Sequence, residues 1–285
     1  MRPMKGLGPW FALVRFNEYG PLFLLCPVAG ALLAGGTMAL GFVLLLVFVT
    51  AVSISTFVLN DITDADVDSH RGVVRNPVGK GEIRKPQATA FFLLLAFISA
   101  TVAPFLGVQD LVLAAVALVI CWGYSFGLKF KAFPVSDLAA HGMIPATFVL
   151  MGYALYVPVS AGGLALTALV AVFSAMSGTL QELRDVAQDE VNRRTTVKAI
   201  GPKRSALLAL GLGVVGVLLF AALVILGHLD PLLVLFLPAG VFILAPILDV
   251  RSGSVDVARA IVRIRDRGVA LALAIMLADL ALILW

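Results

Sequence analysis

Apolar residues run along this chain in long unbroken stretches separated by short polar connections, and those stretches are its dominant pattern. Nine of them lie at about 19–36, 38–59, 87–107, 111–128, 136–157, 162–181, 204–227, 231–250 and 268–285. Each is long enough to cross about 30 Å of hydrocarbon as an α-helix, which takes roughly 17–25 residues. Gly or Pro stands near many of the boundaries. The pattern therefore predicts an all-α integral membrane protein of nine transmembrane helices.

The polar connections fall into two classes. Arg2, Lys5 and Arg15 precede the first span, Arg71 to Lys85 follow the second, and Lys129 and Lys131 follow the fourth. Arg184 to Arg204 follow the sixth span and Arg251 to Arg267 the eighth, whereas the connections near Gly35, Gly107, Ser160 and Gly227 carry no Lys or Arg. The positive-inside rule then sets a cytosolic N-terminus, an outside C-terminus at Trp285 and cytosolic long loops. Nine crossings fit that alternation once through.

Composition agrees. With 61% hydrophobic and 13% charged residues, the chain has too few charges to cover a water-soluble surface. The net charge of +4 reflects the bias of one set of loops and gives no reason to expect nucleic acid. Cys26 and Cys121 fall inside spans, which excludes a disulfide framework or thiol metal site. The polar start, containing Pro and Gly, leads into a full-length span, so no cleavable signal peptide is expected. The expectation is one membrane domain over 1–285, with active-site loops at about 60–86, 124–136 and 181–203 and no obligate protein partner.

Chemistry concentrates where span two meets water. Asn60, Asp64 and Asp68 are spaced i, i+4, i+8 and share one face of a continuing helix, with Asp61 beside them. Aspartates so crowded repel where lipid and protein lower the dielectric, so the cluster needs a compensating cation. Oxygen-only ligands select a hard ion such as Mg²⁺, which commonly shares its shell between carboxylates and a substrate phosphate. After span six the spacing recurs as Gln181, Asp185 and Asp189, again followed by Arg residues, a Gly and another span, which hints at an internal duplication. Two converging faces can hold two Mg²⁺ ions bridging a diphosphate. Arg71, Arg75, Lys80, Lys129, Arg193, Arg194 and Lys198 are the candidates to neutralise its remaining charge.

These residues resemble the paired motifs of the UbiA superfamily of intramembrane prenyltransferases. Asn60-Asp61-x-x-Asp64-x-x-x-Asp68 is similar to the first motif and Asp185-x-x-x-Asp189 to the second. The loop Arg75-Asn76-Pro77-Val78-Gly79-Lys80 resembles the arginine-proline-glycine-basic continuation, and Tyr124-Ser125 followed by Lys129 resembles the YS…K segment. The resemblance covers nearly the whole chain. It implies nine helices around a central cavity open sideways to lipid, with Mg²⁺ and an isoprenyl diphosphate at the cytosolic end. It also implies that Asn60, Asp64, Asp68, Asp185 and Asp189 hold the metals, and that Tyr124 and Lys129 belong to the site. The segment after Tyr124-Ser125 lacks the prolines often found there, a departure on the acceptor side.

The implied reaction is ionisation of the diphosphate and capture of the allylic cation by a lipophilic or aromatic acceptor, with lipid-facing helices burying the prenyl tail. The alternative is cyclisation of the same chain without an acceptor, as in terpene synthases of this type. A transporter would carry its ionisable residues at mid-bilayer, and a CDP-alcohol phosphotransferase would carry a D-G-x-x-A-R signature that is missing here.

Several residues keep two readings. Asp137 and His141 share a face near the metal end; they either orient or deprotonate an acceptor, or cap the helix and satisfy a backbone carbonyl. Arg15 and Glu18 read as surface anchors, with contact to an acceptor head group as the alternative. Ser254 to Arg267 is either an amphipathic surface helix or a topogenic basic loop. Asp64-x-Asp66-x-Asp68 is not an EF-hand, because Ser69 stands where Gly is needed and Arg75 where Glu is needed. Asp279, mid-span in the last helix, has no assigned role.

Overall fold

A computed structural model of the chain describes residues 6–37, 39–71, 76–185 and 195–229, with isolated helical positions at 263, 267, 270, 274 and 277. Nine α-helices are drawn from the continuous segments: α1 (Gly8–Val14), α2 (Phe16–Leu33), α3 (Leu40–Arg71), α4 (Lys85–Val102), α5 (Val108–Gly123), α6 (Ser136–Ala154), α7 (Ala161–Asp185), α8 (Thr196–Ile200) and α9 (Pro202–Ile225). Short 3₁₀ turns follow α4 and precede α6. Among the described residues, four stretches are long and apolar enough to cross a bilayer, at Leu40–His70, Lys85–Leu106, Ala161–Leu183 and Pro202–Ile225.

Helices α2 to α7 and α9 coincide with the first seven predicted spans. The span expected at 231–250 lies outside the described residues, as does that at 268–285 except for Ala270, Ala274 and Leu277, which are helical. Ser254 to Arg267 and Asp279 lie outside them too, apart from Arg263 and Arg267.

Helix α6 sits centrally, packed on α2, α5 and α7; α9 packs on α7, and α4 on α3. In lipid, helices associate by close packing rather than by escape from water, so small residues govern the contacts. Gly30 of α2 and Gly152 of α6 lie at such a contact: a Cβ on Gly30 would strike the Val149 carbonyl, and one on Gly152 the Pro27 carbonyl. The interior is filled by Phe48, Val49 and Val52 of α3 with Phe148 and Met151 of α6. Outward lie Leu93, Leu94 and Phe97 of α4 and Val112, Val116 and Val119 of α5, an apolar exterior suited to hydrocarbon.

One feature of α3 positions everything that follows. Its 32 residues extend about 48 Å at 1.5 Å per residue, well beyond a 30 Å hydrocarbon core. The last turns therefore project the Asn60–Asp68 segment past the apolar layer. Contacts from Arg15, Asn76, Lys85 and Lys131 gather on that end. The opposite end holds apolar turns, where the Tyr156 hydroxyl donates to the Thr37 carbonyl and the Tyr153 and Ser160 hydroxyls meet at 2.6 Å.

Candidate active site

Helix α3 accommodates polar residues without breaking because their hydroxyls bond back along the helix. Ser55 and Thr56 both donate to the Val52 carbonyl at 2.8 Å, and Thr63 donates to the Asn60 carbonyl at 3.0 Å. The run thus stays helical through Asp68, and the i, i+4, i+8 spacing puts Asn60, Asp64 and Asp68 on one face.

The centre of this face is a lysine that the sequence had not singled out. Lys131, only 8% exposed, donates from Nζ to both Asp64 carboxylate oxygens at 2.6 and 2.7 Å and to Asn60 Oδ1 at 2.8 Å. Thr63 Oγ1 stands 3.4 Å from the same nitrogen, and Ser125 Oγ donates to Asn60 Oδ1 at 2.9 Å. The loop conformation selects this lysine. Lys129 adopts φ 52°, in the left-handed region, and opens the turn Phe130–Ala132, which carries Lys131 inward and leaves Lys129 exposed. The signal available in sequence was only the second lysine of Leu128-Lys129-Phe130-Lys131.

The other aspartates of the segment separate into distinct roles. Asp61 is fully buried and accepts from Arg15, whose guanidinium also lies 5.6 Å from the Phe57 ring centre. Arg15 occupies the left-handed break between α1 and α2, so the pair clamps the start of the bundle to α3. Next to it, Val14, Phe23, Ile54 and Phe57 line a small apolar pocket. Asp68 accepts from Asn76 Nδ2 at 2.8 Å. The same nitrogen donates to the Asp61 carbonyl at 2.9 Å, while Asn76 Oδ1 accepts from the Val78 and Gly79 amides. Asp66 meets Lys85 at 3.2 Å in open solvent, a pairing worth little. Lys80 lies at the surface, 3.8 Å from Glu82.

A second group joins α6 and α7 to the residue that caps α5. Tyr124 Oη and His141 Nε2 are 3.1 Å apart, with ring centres at 5.4 Å, and His141 Nε2 stands 4.0 Å from Glu182 Oε1. Asp137, four residues from His141, is not part of this group. Its carboxylate accepts from the Thr196 amide and hydroxyl and from the Leu138 amide. Gln181 Nε2 lies 3.3 Å from Ser177 Oγ one turn back, and Lys198 is half-buried on α8, whose first turn is capped by Thr195.

Asp185 ends α7, but its side chain, like that of Arg71, lies outside the described residues, as do Arg75, Asp189, Arg193 and Arg194. Among the described residues no three His, Cys, Asp or Glu side chains converge as metal ligands. The Asn60–Asp64 oxygens nevertheless fit a hard cation, because three of them already enclose a positive charge, the Lys131 ammonium.

Comparison with known proteins bears on this arrangement. The family model described as the UbiA prenyltransferase family matches residues 23–262. A 4-hydroxybenzoate octaprenyltransferase of Edwardsiella ictaluri (strain 93-146) is 32% identical over 157 residues, which are 51% of this chain and 54% of that relative. The chain thus spans about half the length of the curated relatives it matches. A solved UbiA homolog from Archaeoglobus fulgidus bound to GPP and Mg²⁺ superposes with TM-score 0.75, at 18% identity, over 96% of this chain and 100% of that one. A digeranylgeranylglyceryl phosphate synthase structure does so with TM-score 0.74, at 17% identity, over 97% and 99%.

Proposed function

The chain belongs to the UbiA prenyltransferase family, and from that premise we propose that this integral membrane protein is a Mg²⁺-dependent enzyme. It transfers a prenyl group from an isoprenyl diphosphate to a lipophilic or aromatic acceptor and releases pyrophosphate. The observation that carries the proposal is the cation cage on α3, in which Asn60 and Asp64 turn three oxygens onto one positive charge at the polar end of an apolar bundle.

Asn60, Asp64 and Asp68 on one side, and Asp185 and Asp189 on the other, are the residues that would hold the metal, as two ions. When bound, Mg²⁺ supplies the charge that stabilises pyrophosphate as it leaves. The bound GPP and Mg²⁺ of the Archaeoglobus fulgidus homolog support this assignment. The protein's own groups supply the rest. Lys131 adds a buried ammonium to the first acidic face; Lys80, Lys129, Lys198, Arg71, Arg75, Arg193 and Arg194 are the candidates to neutralise the remaining charge of the diphosphate. Asn76 holds the Asp68 carboxylate in place. A site closed to water would keep the allylic cation from hydrolysis, and its C1 would then bond to the acceptor, whose proton passes to a nearby base. The Tyr124–His141–Glu182 contacts support assigning this group to the acceptor, as the base that would receive its proton.

Nine crossings, a single domain over 1–285, active-site loops at about 60–86, 124–136 and 181–203, and a cytosolic site complete the proposal; the Lys and Arg bias of one loop set supports the orientation. The names of the relatives support transfer over cyclisation, and they span both aromatic and glycerol-ether acceptors.

The test is pyrophosphate release from farnesyl and geranylgeranyl diphosphate by purified protein with Mg²⁺, supplied in parallel with 4-hydroxybenzoate or geranylgeranylglyceryl phosphate. Release that needs an acceptor and vanishes in Asp64→Ala supports the proposal. Acceptor-independent release of a cyclic product would replace transfer by cyclisation.

A further inference from the structure

The cage around Lys131 raises a question that the family assignment does not answer. If Asn60 and Asp64 are metal ligands, the place a metal would take on them is already filled. Nζ touches four oxygens, at 2.6, 2.7, 2.8 and 3.4 Å, more than its three protons can serve at full strength. It holds both oxygens of Asp64 together, as a divalent ion would. The side chain is 8% exposed, so this is an interior contact rather than a surface pairing.

A compact ammonium on a flexible four-carbon stem suits such a post better than a planar guanidinium would. Its anchorage also allows it to leave. Ser136 Oγ donates to the Phe130 carbonyl and the Lys131 amide to the Tyr124 carbonyl, which fixes the backbone of the turn. Nζ can then move on the four side-chain torsions of Lys131 while the backbone of the turn stays in place.

We propose that Lys131 is a resident counter-ion that occupies the divalent-metal position on Asn60 and Asp64 until metal enters, so that metal loading frees its ammonium for an anionic substrate. The proposal rests on the reading of Asn60 and Asp64 as metal ligands. Two cations cannot share the same three oxygens, so metal binding is opposed by the lysine when no anion is present. An anion that takes up the displaced ammonium removes that opposition. Metal and diphosphate then strengthen each other's binding, and the coupling is reciprocal. The cage also accounts for how crowded aspartates on α3 are tolerated without metal, since the compensating charge comes from within the chain.

The test uses the full-length protein in detergent, Mn²⁺ as an EPR probe and inorganic pyrophosphate as the anion. Lys131→Met is expected to bind Mn²⁺ roughly tenfold or more tightly than wild type without pyrophosphate, because a charge-assisted contact no longer has to be broken. Pyrophosphate should enhance Mn²⁺ binding less in the variant. Acetylation of wild-type protein, read by mass spectrometry, supplies a measurement independent of any variant. Lys131 should be slow to label alone, faster with Mg²⁺, and slow again with Mg²⁺ plus pyrophosphate. Equal Mn²⁺ affinity in the two proteins overturns the proposal. So does tighter binding with Lys131 labelling indifferent to Mg²⁺, which would reduce its role to long-range charge. If Lys131→Met does not fold, labelling decides alone. Mn²⁺ binding that survives in Asp64→Ala would instead refute the metal assignment itself.

Discussion

Asp137 on α6 and Thr196 on α8 form a closed link across 59 positions of chain: the carboxylate accepts from the Thr196 amide at 2.9 Å and from its hydroxyl at 2.6 Å. The hydroxyl oxygen in turn accepts from the Val135 amide at 2.9 Å, at a β-branched residue held at φ 69°. Asp137 is fully buried and Thr196 nearly so, which makes this link a structural fastener between the loop before α6 and the segment entering α9. Thr196→Val, which removes the hydroxyl and keeps the amide, is expected to cost about 2 kcal/mol, and Asp137→Ala about 3 kcal/mol. Thermal unfolding in detergent checks the order. An Asp137→Ala protein as stable as wild type but inactive would return Asp137 to acceptor chemistry.

Asn76 controls the geometry of the first acidic face through four contacts from one amide. Replacing it by Asp keeps the shape but turns the donor facing Asp68 into an acceptor, so the 2.8 Å bond becomes a like-charge contact. Asn76→Asp should lose more activity than Asn76→Ala, while each costs about 2 kcal/mol of stability. Raised Mg²⁺ should partly restore Asn76→Asp and leave Asn76→Ala unchanged, since only the former has surplus negative charge for the metal to offset. Activity titrated against Mg²⁺ in the two variants distinguishes them.

Sequence periodicity carried the helices and the acidic face a long way, because both depend on local rules. Apolar run length located α2 to α7 and α9, and the i, i+4, i+8 spacing located Asn60, Asp64 and Asp68 on a helix that does continue to Arg71. What it missed depends on contacts between distant segments or on a single backbone dihedral. Lys129 and Lys131 are equivalent in composition; the left-handed φ at Lys129 decides that Lys131 turns inward. Arg15 read as an anchor because its partner, Asp61, lies 46 residues away. The same spacing rule that found Asp64 drew attention to Gln181 rather than to its neighbour Glu182, which is the residue buried beside His141. Asp137 and His141 looked like one unit at i, i+4, yet their partners lie on different segments.

The Arg15–Asp61 pair makes a sharp stability prediction. Asp61 is fully buried, so removing its partner leaves a charge without compensation, whereas removing both charges does not. Arg15→Met is expected to cost about 3 kcal/mol, and Arg15→Met with Asp61→Asn is expected to recover most of that loss. Unfolding temperatures of the two single variants and the double variant complete the cycle. Additive losses would mean that each residue acts through other partners.

Helix α7 makes room for His141 at Gly178, where a Cβ would lie 2.6 Å from the imidazole Cγ, too close for either atom to remain. Gly178→Ala should therefore push the ring off Tyr124 and Glu182 while changing nothing chemically reactive. If the Tyr124–His141–Glu182 group serves acceptor prenylation, Gly178→Ala should reproduce much of the loss seen in His141→Ala, and adding it to His141→Ala should change little, because the ring it displaces is gone. Turnover is the first readout, and KM for the diphosphate is the control, since the acidic face of α3 is untouched. A Gly178→Ala protein with undiminished turnover would show that the position of His141 does not matter to the reaction. Losses that multiply in the double variant would point instead to the α6–α7 packing itself, which the Ala171 carbonyl against Gly142 also depends on.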